Sequence, residues 1–357
     1  MDIKTALKEH GISRRDFMKF CAAMAGTLAL PAGFAAKIAE ALEKARKPSV
    51  VWLEFQACTG NTESFLRANK PTIADLVLDI VSYDYHETIM APAGKQAEKS
   101  LDDVVKNEKG KYICIVEGSI PMADGGVYCC IGGKSALEIA RETCGNAQAV
   151  IAVGACAWDG GWPAASPNPT GAVGVKDAVP GLKTLINLPG CPANVENITA
   201  TIVHLLTFGS FPVTDGMGRP LFAYGERIHD HCERRAHFDA GQFVREWGDE
   251  GHRHGWCLYE MGCKGPETFK NCPAIRWNEG TNWPVGSGHG CIGCAAPKFW
   301  DTMSPFYRRL PKVPGFGVED TADKIGLGLA AAAAAGLAAH GIARAVKGKP
   351  KEEKEEG

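Results

Sequence analysis

The strongest constraint on this chain is the crowding of its cysteines and histidines into one segment. Between His229 and Cys294, 66 residues contain six of the 14 cysteines and six of the ten histidines. Glycine and proline are frequent there, and no helical or strand period runs through the segment. A chain of 357 residues does not need disulfides to build a core, and disulfide pairing would leave the histidines unexplained. The segment is therefore predicted to be ordered by bound metal, with zinc and iron–sulfur both open at this point.

Composition narrows the class of protein further. The chain has 45% hydrophobic and 22% charged residues, with a formal net charge of −2. A chain of this composition builds a real core, which excludes wholesale disorder. The nearly balanced charge gives no electrostatic reason to expect a nucleic-acid partner.

From about residue 49 to residue 210 the pattern changes to alternating strand-like and helix-like segments. Short apolar runs predict buried parallel strands at Val50–Phe55, Tyr112–Val116, Ala149–Val153 and Thr184–Leu188. Helical patterns occur at Lys95–Lys106, Lys134–Thr143 and Ala193–Phe208. This alternation predicts an α/β domain with a doubly wound parallel sheet.

Three cysteines follow predicted strands: Cys58 the first, Cys156 the third and Cys191 the fourth. Ligands of such sheets bind beyond the carboxyl ends of the strands, so we expect the three thiols at one edge. Each cysteine has glycine or another small residue beside it, which lets the backbone approach a bulky inorganic group. Three converging thiolates suit a metal or an iron–sulfur cluster.

The N-terminus has the features of a targeting segment. Arg14 and Arg15 precede an uncharged stretch from Phe20 to Ala36, as in a twin-arginine export signal, which a receptor reads and which is usually removed. The alternative is an amphipathic helix that carries two arginines by chance. We expect export, with cleavage between about Ala36 and Lys47.

The C-terminus holds a second apolar segment, Ile325–Ala343. Nineteen residues at about 1.5 Å each nearly match a hydrocarbon core of roughly 30 Å. Lysines follow the segment, and positive flanks favour the cytoplasmic side. We therefore expect a membrane anchor with the body on the periplasmic face; an alanine-rich soluble helix is the alternative. His340 could ligate a haem in a partner, although a lone histidine is more often a bystander.

Six segments, in order along the chain, carry a resemblance to a known family: Gln56–Glu63, Gly118–Pro121, Pro189–Pro192, Arg227–Asp239, Gly255–Pro266 and Trp277–Cys294. They resemble the small subunit of membrane-associated nickel–iron uptake hydrogenases. The resemblance implies a flavodoxin-like α/β domain followed by a smaller, irregular iron–sulfur domain and a C-terminal transmembrane helix. It also implies two partners: a large subunit with the nickel–iron centre, and a membrane cytochrome b or other quinone-linked acceptor.

The resemblance implies two 4Fe–4S clusters and one 3Fe–4S cluster, and no catalytic residue on this chain. Its proximal 4Fe–4S ligands are Cys58, Cys156 and Cys191. Its medial 3Fe–4S ligands are Cys272, Cys291 and Cys294, with Pro284 in place of a fourth thiolate. Its distal 4Fe–4S ligands are His229, Cys232, Cys257 and Cys263.

The sequence departs from the family at the proximal site, where Asn61 stands in place of the usual fourth cysteine. An amide is a poor substitute for a thiolate on iron. Three explanations remain open: the Asn61 oxygen or a water completes the cluster, Cys129, Cys130 or Asp159 takes over, or the cluster loses a corner. Of these outcomes we expect a complete 4Fe–4S cluster with an unusual fourth ligand. Gly60 and Gly161 occupy the positions of the extra cysteines of oxygen-tolerant relatives, so the resemblance gives no basis for assigning their mechanism of tolerance to this chain.

These expectations divide the chain into six parts: signal 1–47, flavodoxin-like domain 48–211, iron–sulfur domain 212–312, linker 313–324, anchor 325–346 and charged cytoplasmic tail 347–357. The function implied is electron transfer from dihydrogen oxidation to a membrane acceptor. Two alternatives compete with it. One is a multi-cluster ferredoxin-like subunit of another exported oxidoreductase, and the other is a zinc-stabilised exported protein without enzymatic activity.

Overall fold

The computed structural model describes residues 13–44, 47–68, 81–310 and 318–346. Its central sheet has five strands, and all neighbouring strands are parallel. The strands are β1 (Ser49–Glu54), β2 (Ser82–His86), β3 (Ile113–Glu117), β4 (Ala149–Val153) and β5 (Leu185–Leu188). They are hydrogen-bonded in the order β2-β1-β3-β4-β5, the order of flavodoxin-like sheets. The predicted parallel α/β domain is confirmed.

Strand β2 has no counterpart among the predicted strands. Its sequence, SYDYH, mixes aromatic and polar side chains, and only its last two residues are buried. It lies at the edge of the sheet beside β1, so it does not need the continuous apolar run that marks the central strands. The other four strands lie within one residue of their predicted bounds.

Helices cover both faces of the sheet: α1 (Arg14–Thr27), α2 (Phe34–Lys44), α3 (Gly60–Leu66), α4 (Lys95–Asn107), α5 (Ala136–Asn146), α6 (Gly154–Asp159), α7 (Val175–Ala178) and α8 (Val195–Phe208). Side chains alternate along β1. Val50 and Trp52 pack with α1, α2 and α8, whereas Val51 and Leu53 pack with α4 and α5. The domain is therefore doubly wound.

Side-chain caps determine where two of the predicted helices begin. The Ser135 hydroxyl accepts a hydrogen bond from the backbone N–H of Glu138, and the Glu138 carboxylate accepts one from the N–H of Ser135. This capping box starts α5 at Ala136. Asn194 accepts from the N–H of Glu196 and starts α8 in the same way.

The segment expected to be an export signal packs onto the folded domain. Helices α1 and α2 contact each other and α8, and Cys21, Met24 and Ile38 are fully buried in the same core as Trp52. Removal of residues 1–47 would expose the face of α8 that these helices cover. Export by the twin-arginine route stays a prediction.

Residues 212–310 contain short helices joined by turns: α9 (Leu221–Tyr224), α10 (Arg235–Asp239), α11 (Glu250–Arg253), α12 (Cys272–Ile275) and α13 (Phe299–Thr302). None of these is longer than five residues, in agreement with the lack of a period in the sequence. A small core of its own includes Trp283, Leu258 and two cysteines, Cys272 and Cys291.

Helix α14 (Val318–Val346) begins seven residues before the expected anchor. Its stretch Gly326–Ala345 has a mean hydropathy of 1.5 and is exposed along its length. By length and composition this one helix, among the described residues, could cross a membrane. The predicted tail, 347–357, lies outside the described residues.

Candidate metal centres

The three thiols predicted for the medial cluster surround one cavity of about 580 Å³. Cys272 begins α12, and the turn His289–Cys294 supplies the other two thiols. The expected proline, Pro284, also lines the cavity. One hydrogen bond within this turn involves a thiol, since the backbone N–H of Gly293 donates to Cys291 Sγ at 3.4 Å. All 14 cysteines of the chain are free thiols, so none of these is consumed by a disulfide.

The four predicted distal ligands line a second, smaller cavity: His229, Cys232, Cys257 and Cys263. The ring of His229 is buried edge-on against Phe238, with 4.5 Å between ring centroids. Burial lowers the pKa of His229 to about 4, so the imidazole is neutral, as a metal ligand must be. The backbone of Cys257 pairs with that of Gln242, since the N–H of Cys257 donates to the carbonyl of Gln242.

The three predicted proximal thiols meet at the carboxyl edge of the sheet. Burial, together with negative charge on Cys191 and Cys58, raises the pKa of Cys156 to about 12. Glycines make room beside them. A Cβ on Gly60 would lie 3.0 Å from Cys58 Sγ, and one on Gly161 would lie 2.8 Å from Cys156 Sγ. The sheet edge therefore provides a three-thiol site that larger residues would fill.

Burial keeps the distal thiols protonated in the free protein. It raises the pKa of Cys232 to about 11 and that of Cys257 to about 12, and neighbouring thiolates contribute in the same direction. Metal binds the deprotonated sulfur, so loading these sites must release protons.

The donor sets have the chemistry of iron–sulfur ligands. They consist of soft thiols and one neutral imidazole, donor types that bind iron–sulfur clusters and zinc alike. In the part of the chain that the structure describes, no group of three histidine, cysteine or acidic side chains lies close enough together to hold one metal ion. The residue types are therefore compatible with the predicted iron–sulfur clusters.

The three sets are adjacent in space. Cys191, from the proximal set, lines the same cavity as the medial thiols, and its pKa responds to charge on Cys294. The N–H of Cys291 in the medial set donates to Cys263 Sγ in the distal set at 3.2 Å. The donors thus form a continuous series from the sheet edge into residues 212–310.

Two family models match this chain. The first describes the C-terminal part of the NiFe/NiFeSe hydrogenase small subunit and matches residues 224–307. The second describes the 20 Kd subunit of NADH ubiquinone oxidoreductase and matches residues 58–205. The boundary between the matches coincides with the change from the α/β sheet to the irregular, cysteine-rich part.

Similarity to curated proteins extends over nearly the whole chain. The quinone-reactive Ni/Fe-hydrogenase small chain of Wolinella succinogenes is 48% identical, over 94% of this chain and 97% of that protein. The uptake hydrogenase small subunit of Azotobacter vinelandii is 47% identical, over 96% and 95%. The chain belongs to the nickel–iron hydrogenase small-subunit family.

Solved structures place the fold in the same family. The NiFeSe hydrogenase of Desulfomicrobium baculatum matches this hydrogenase small subunit with a TM-score of 0.70 and 35% identity. The match covers 74% of this chain and 100% of that one. Membership in the family implies iron–sulfur clusters and pairing with a large subunit.

The side chain of Asn61 in this small subunit forms hydrogen bonds through both ends of its amide. Its Oδ1 accepts from the N–H of Ala193 at 2.8 Å, and its Nδ2 donates to Glu117 at 3.1 Å. It also packs tightly on Gly154, where an added Cβ would lie 2.5 Å from Nδ2. Asn61 therefore links the ends of three strands, and its amide oxygen already accepts one hydrogen bond.

The other candidates for a fourth proximal ligand are engaged or distant. The carboxylate of Asp159 accepts from the N–H groups of Gly161 and Lys298. Cys129 packs in the core on the α4–α5 side of the sheet, and Cys130 is exposed with its Sγ 3.5 Å from a backbone carbonyl. Of the three, Asp159 lies near a proximal thiol, because its negative charge contributes to the raised pKa of Cys156.

Two buried charged groups of the small subunit were not among the predicted site residues. Glu117, at the end of β3, is fully buried against the turn that follows Cys58, and Lys270 is buried beside Cys294. The sequence gives a weak signal for each, because Glu117 directly follows a buried strand and Lys270 lies two residues before Cys272. Neither spacing distinguishes a buried charge from a solvated one.

Proposed function

We propose that this chain is the electron-transfer subunit of an uptake hydrogenase. It would relay electrons from dihydrogen oxidation, at the nickel–iron centre of a partner large subunit, to a quinone-linked or cytochrome b acceptor in the membrane. The observation that carries the proposal is the continuous series of three donor sets: Cys191 shares a cavity with the medial thiols, and Cys291 is hydrogen-bonded to Cys263. Family membership supports this reading over an unrelated ferredoxin-like subunit or a zinc protein.

The donor sets would hold a proximal 4Fe–4S, a medial 3Fe–4S and a distal 4Fe–4S cluster. Such clusters supply one-electron redox chemistry when bound. The protein holds them through thiolates, excludes water with the cores around Trp283 and Phe238, and sets their potentials through ligand charge. His229 contributes a neutral ligand in place of a thiolate, which favours the reduced state of the distal site.

We propose that Gly326–Ala345 anchors the chain in the cytoplasmic membrane and that the body lies on the periplasmic side. Exposed leucines on α14, such as Leu327 and Leu337, support contact with lipid or with a membrane partner. His340 is exposed on the same helix.

The test is metal and spectroscopic analysis of the complex purified anaerobically with its large subunit. We expect about 11 iron atoms and about 12 acid-labile sulfides per complex in addition to the nickel–iron centre, because two 4Fe–4S clusters and one 3Fe–4S cluster contain those numbers. Electron paramagnetic resonance (EPR) of the oxidised sample should show a 3Fe–4S signal. Zinc without iron or sulfide would refute the proposal.

We propose further that the proximal cluster has three protein ligands, Cys58, Cys156 and Cys191, with water at the fourth iron. The hydrogen bonds of Asn61 to Ala193 and Glu117 support this choice, because they hold both ends of the amide against groups of the polypeptide.

Two substitutions at Asn61 test the ligand count. Asn61→Ala should leave the proximal EPR signal and iron content unchanged, since the side chain does not bind iron, while lowering stability by about 1–3 kcal/mol through lost hydrogen bonds. Asn61→Cys should shift the proximal midpoint potential to a more negative value, because a fourth thiolate adds negative charge. Loss of the proximal signal in Asn61→Ala, with stability lowered by no more than this amount, would mean that Asn61 is a ligand.

A further inference from the structure

Lys270 is buried between two of the donor sets. Its side chain is 1% exposed and lines the cavity of about 580 Å³ together with the medial thiols. Its Nζ lies 3.9 Å from Cys294 Sγ. A Cβ on Gly190 would lie 2.4 Å from Nζ, so the ammonium sits directly against the backbone beside Cys191. The charge is therefore next to one medial and one proximal cysteine.

The polypeptide does not neutralise this ammonium with a carboxylate. In the part of the chain that the structure describes, Lys270 forms no ion pair, and its neighbours include Cys294 Sγ and the ring of Trp277, whose centroid lies 5.5 Å from Nζ. An unpaired charge buried among apolar groups is very costly. The negative charge that compensates for it must come from the thiolates and from what they bind.

We propose that Lys270 is a positioning residue whose fixed positive charge raises the reduction potential of the medial site. This inference rests on the proposed function. Reduction adds negative charge to the site, and a cation held beside Cys294 stabilises that added charge more than it stabilises the oxidised state. The effect is large because the ammonium is buried away from water, and Coulomb interactions are stronger in the protein interior than in water.

The experiment is an EPR-monitored redox titration of the complete complex with its large subunit. Lys270→Met removes the charge and keeps the length of the side chain. We expect the medial midpoint potential to become more negative by at least about 59 mV, which for a one-electron couple is a tenfold change in the ratio of reduced to oxidised cluster. The distal potential should stay the same, since Lys270 contacts no distal ligand among the described residues.

Lys270→Gln separates charge from hydrogen bonding. Glutamine can still donate to Cys294 but carries no charge, so it should shift the medial potential as methionine does. Lys109→Met, at an exposed position after α4, is the matched control and should leave all potentials unchanged.

Three outcomes would overturn the inference: a wild-type medial potential in Lys270→Met, a wild-type potential in Lys270→Gln alone, or loss of the medial cluster from both variants. The last would assign Lys270 to assembly rather than to potential. Absence of iron–sulfur signals from the wild-type complex would instead refute the proposed function, so the two failures are distinguishable.

Discussion

Cys294→Ser is expected to abolish hydrogen-driven reduction of the membrane acceptor while leaving the large subunit active. Cys294 is one of three thiols around the medial cavity, which lies between the proximal and distal donor sets. Loss of one of three ligands should remove the medial cluster. Acceptor reduction should then fall by at least about 100-fold, because substitution of residues that only support a metal ligand already lowers activity by up to about that factor. The 3Fe–4S EPR signal should disappear with it.

The isotope exchange between hydrogen gas and solvent protons that the same complex catalyses separates this effect from a folding defect. Exchange at the nickel–iron centre needs no electron to leave the large subunit, so it should persist in Cys294→Ser. Cys130→Ser is the matched control, because Cys130 is exposed and lines neither the medial nor the distal cavity. Normal acceptor reduction by Cys294→Ser would contradict a relay through the medial site.

The α/β domain could be predicted because its signals are local. Continuous apolar runs mark strands that are buried on both faces, and the polar caps at Ser135 and Asn194 mark where helices begin. The edge strand β2 has one exposed side and no such run, so local patterns could not find it. The packing of α1 on α8 is equally non-local, since it joins residues far apart in the chain.

The members of each donor set could be predicted from residue type and family resemblance, but the contacts around each set could not. Family resemblance predicted the ligand sets, and in the structure the medial and distal sets line two cavities, while their role as cluster ligands stays a prediction. The hydrogen bonds that occupy Asn61, and the burial of Lys270 and Glu117, depend on contacts between separate strand ends. Sequence patterns carry no information on such contacts.

Glu117→Ala is expected to destabilise the α/β domain by about 3–5 kcal/mol, measured as the free energy of unfolding. The carboxylate is fully buried and accepts hydrogen bonds from the backbone N–H groups of Asn61 and Thr62 at 2.8 and 3.0 Å. These groups belong to the first turn of α3, whose N–H groups have no partner within the helix. Alanine would leave these donors buried without an acceptor, each at a cost of about 1–3 kcal/mol.

The substitution should also disturb the proximal site, because the residues that Glu117 holds follow directly after Cys58. Asn61 and Thr62 also donate to Glu117 through their side chains, so its loss frees the loop that positions the thiol. Glu63→Gln is the matched control: it removes a carboxylate from the same turn of α3, where that carboxylate is exposed and pairs with Arg67, so stability should change by less than about 1 kcal/mol. If Glu117→Ala were as stable as Glu63→Gln, with a normal proximal EPR signal, α3 and Cys58 would have to be held by groups other than this carboxylate.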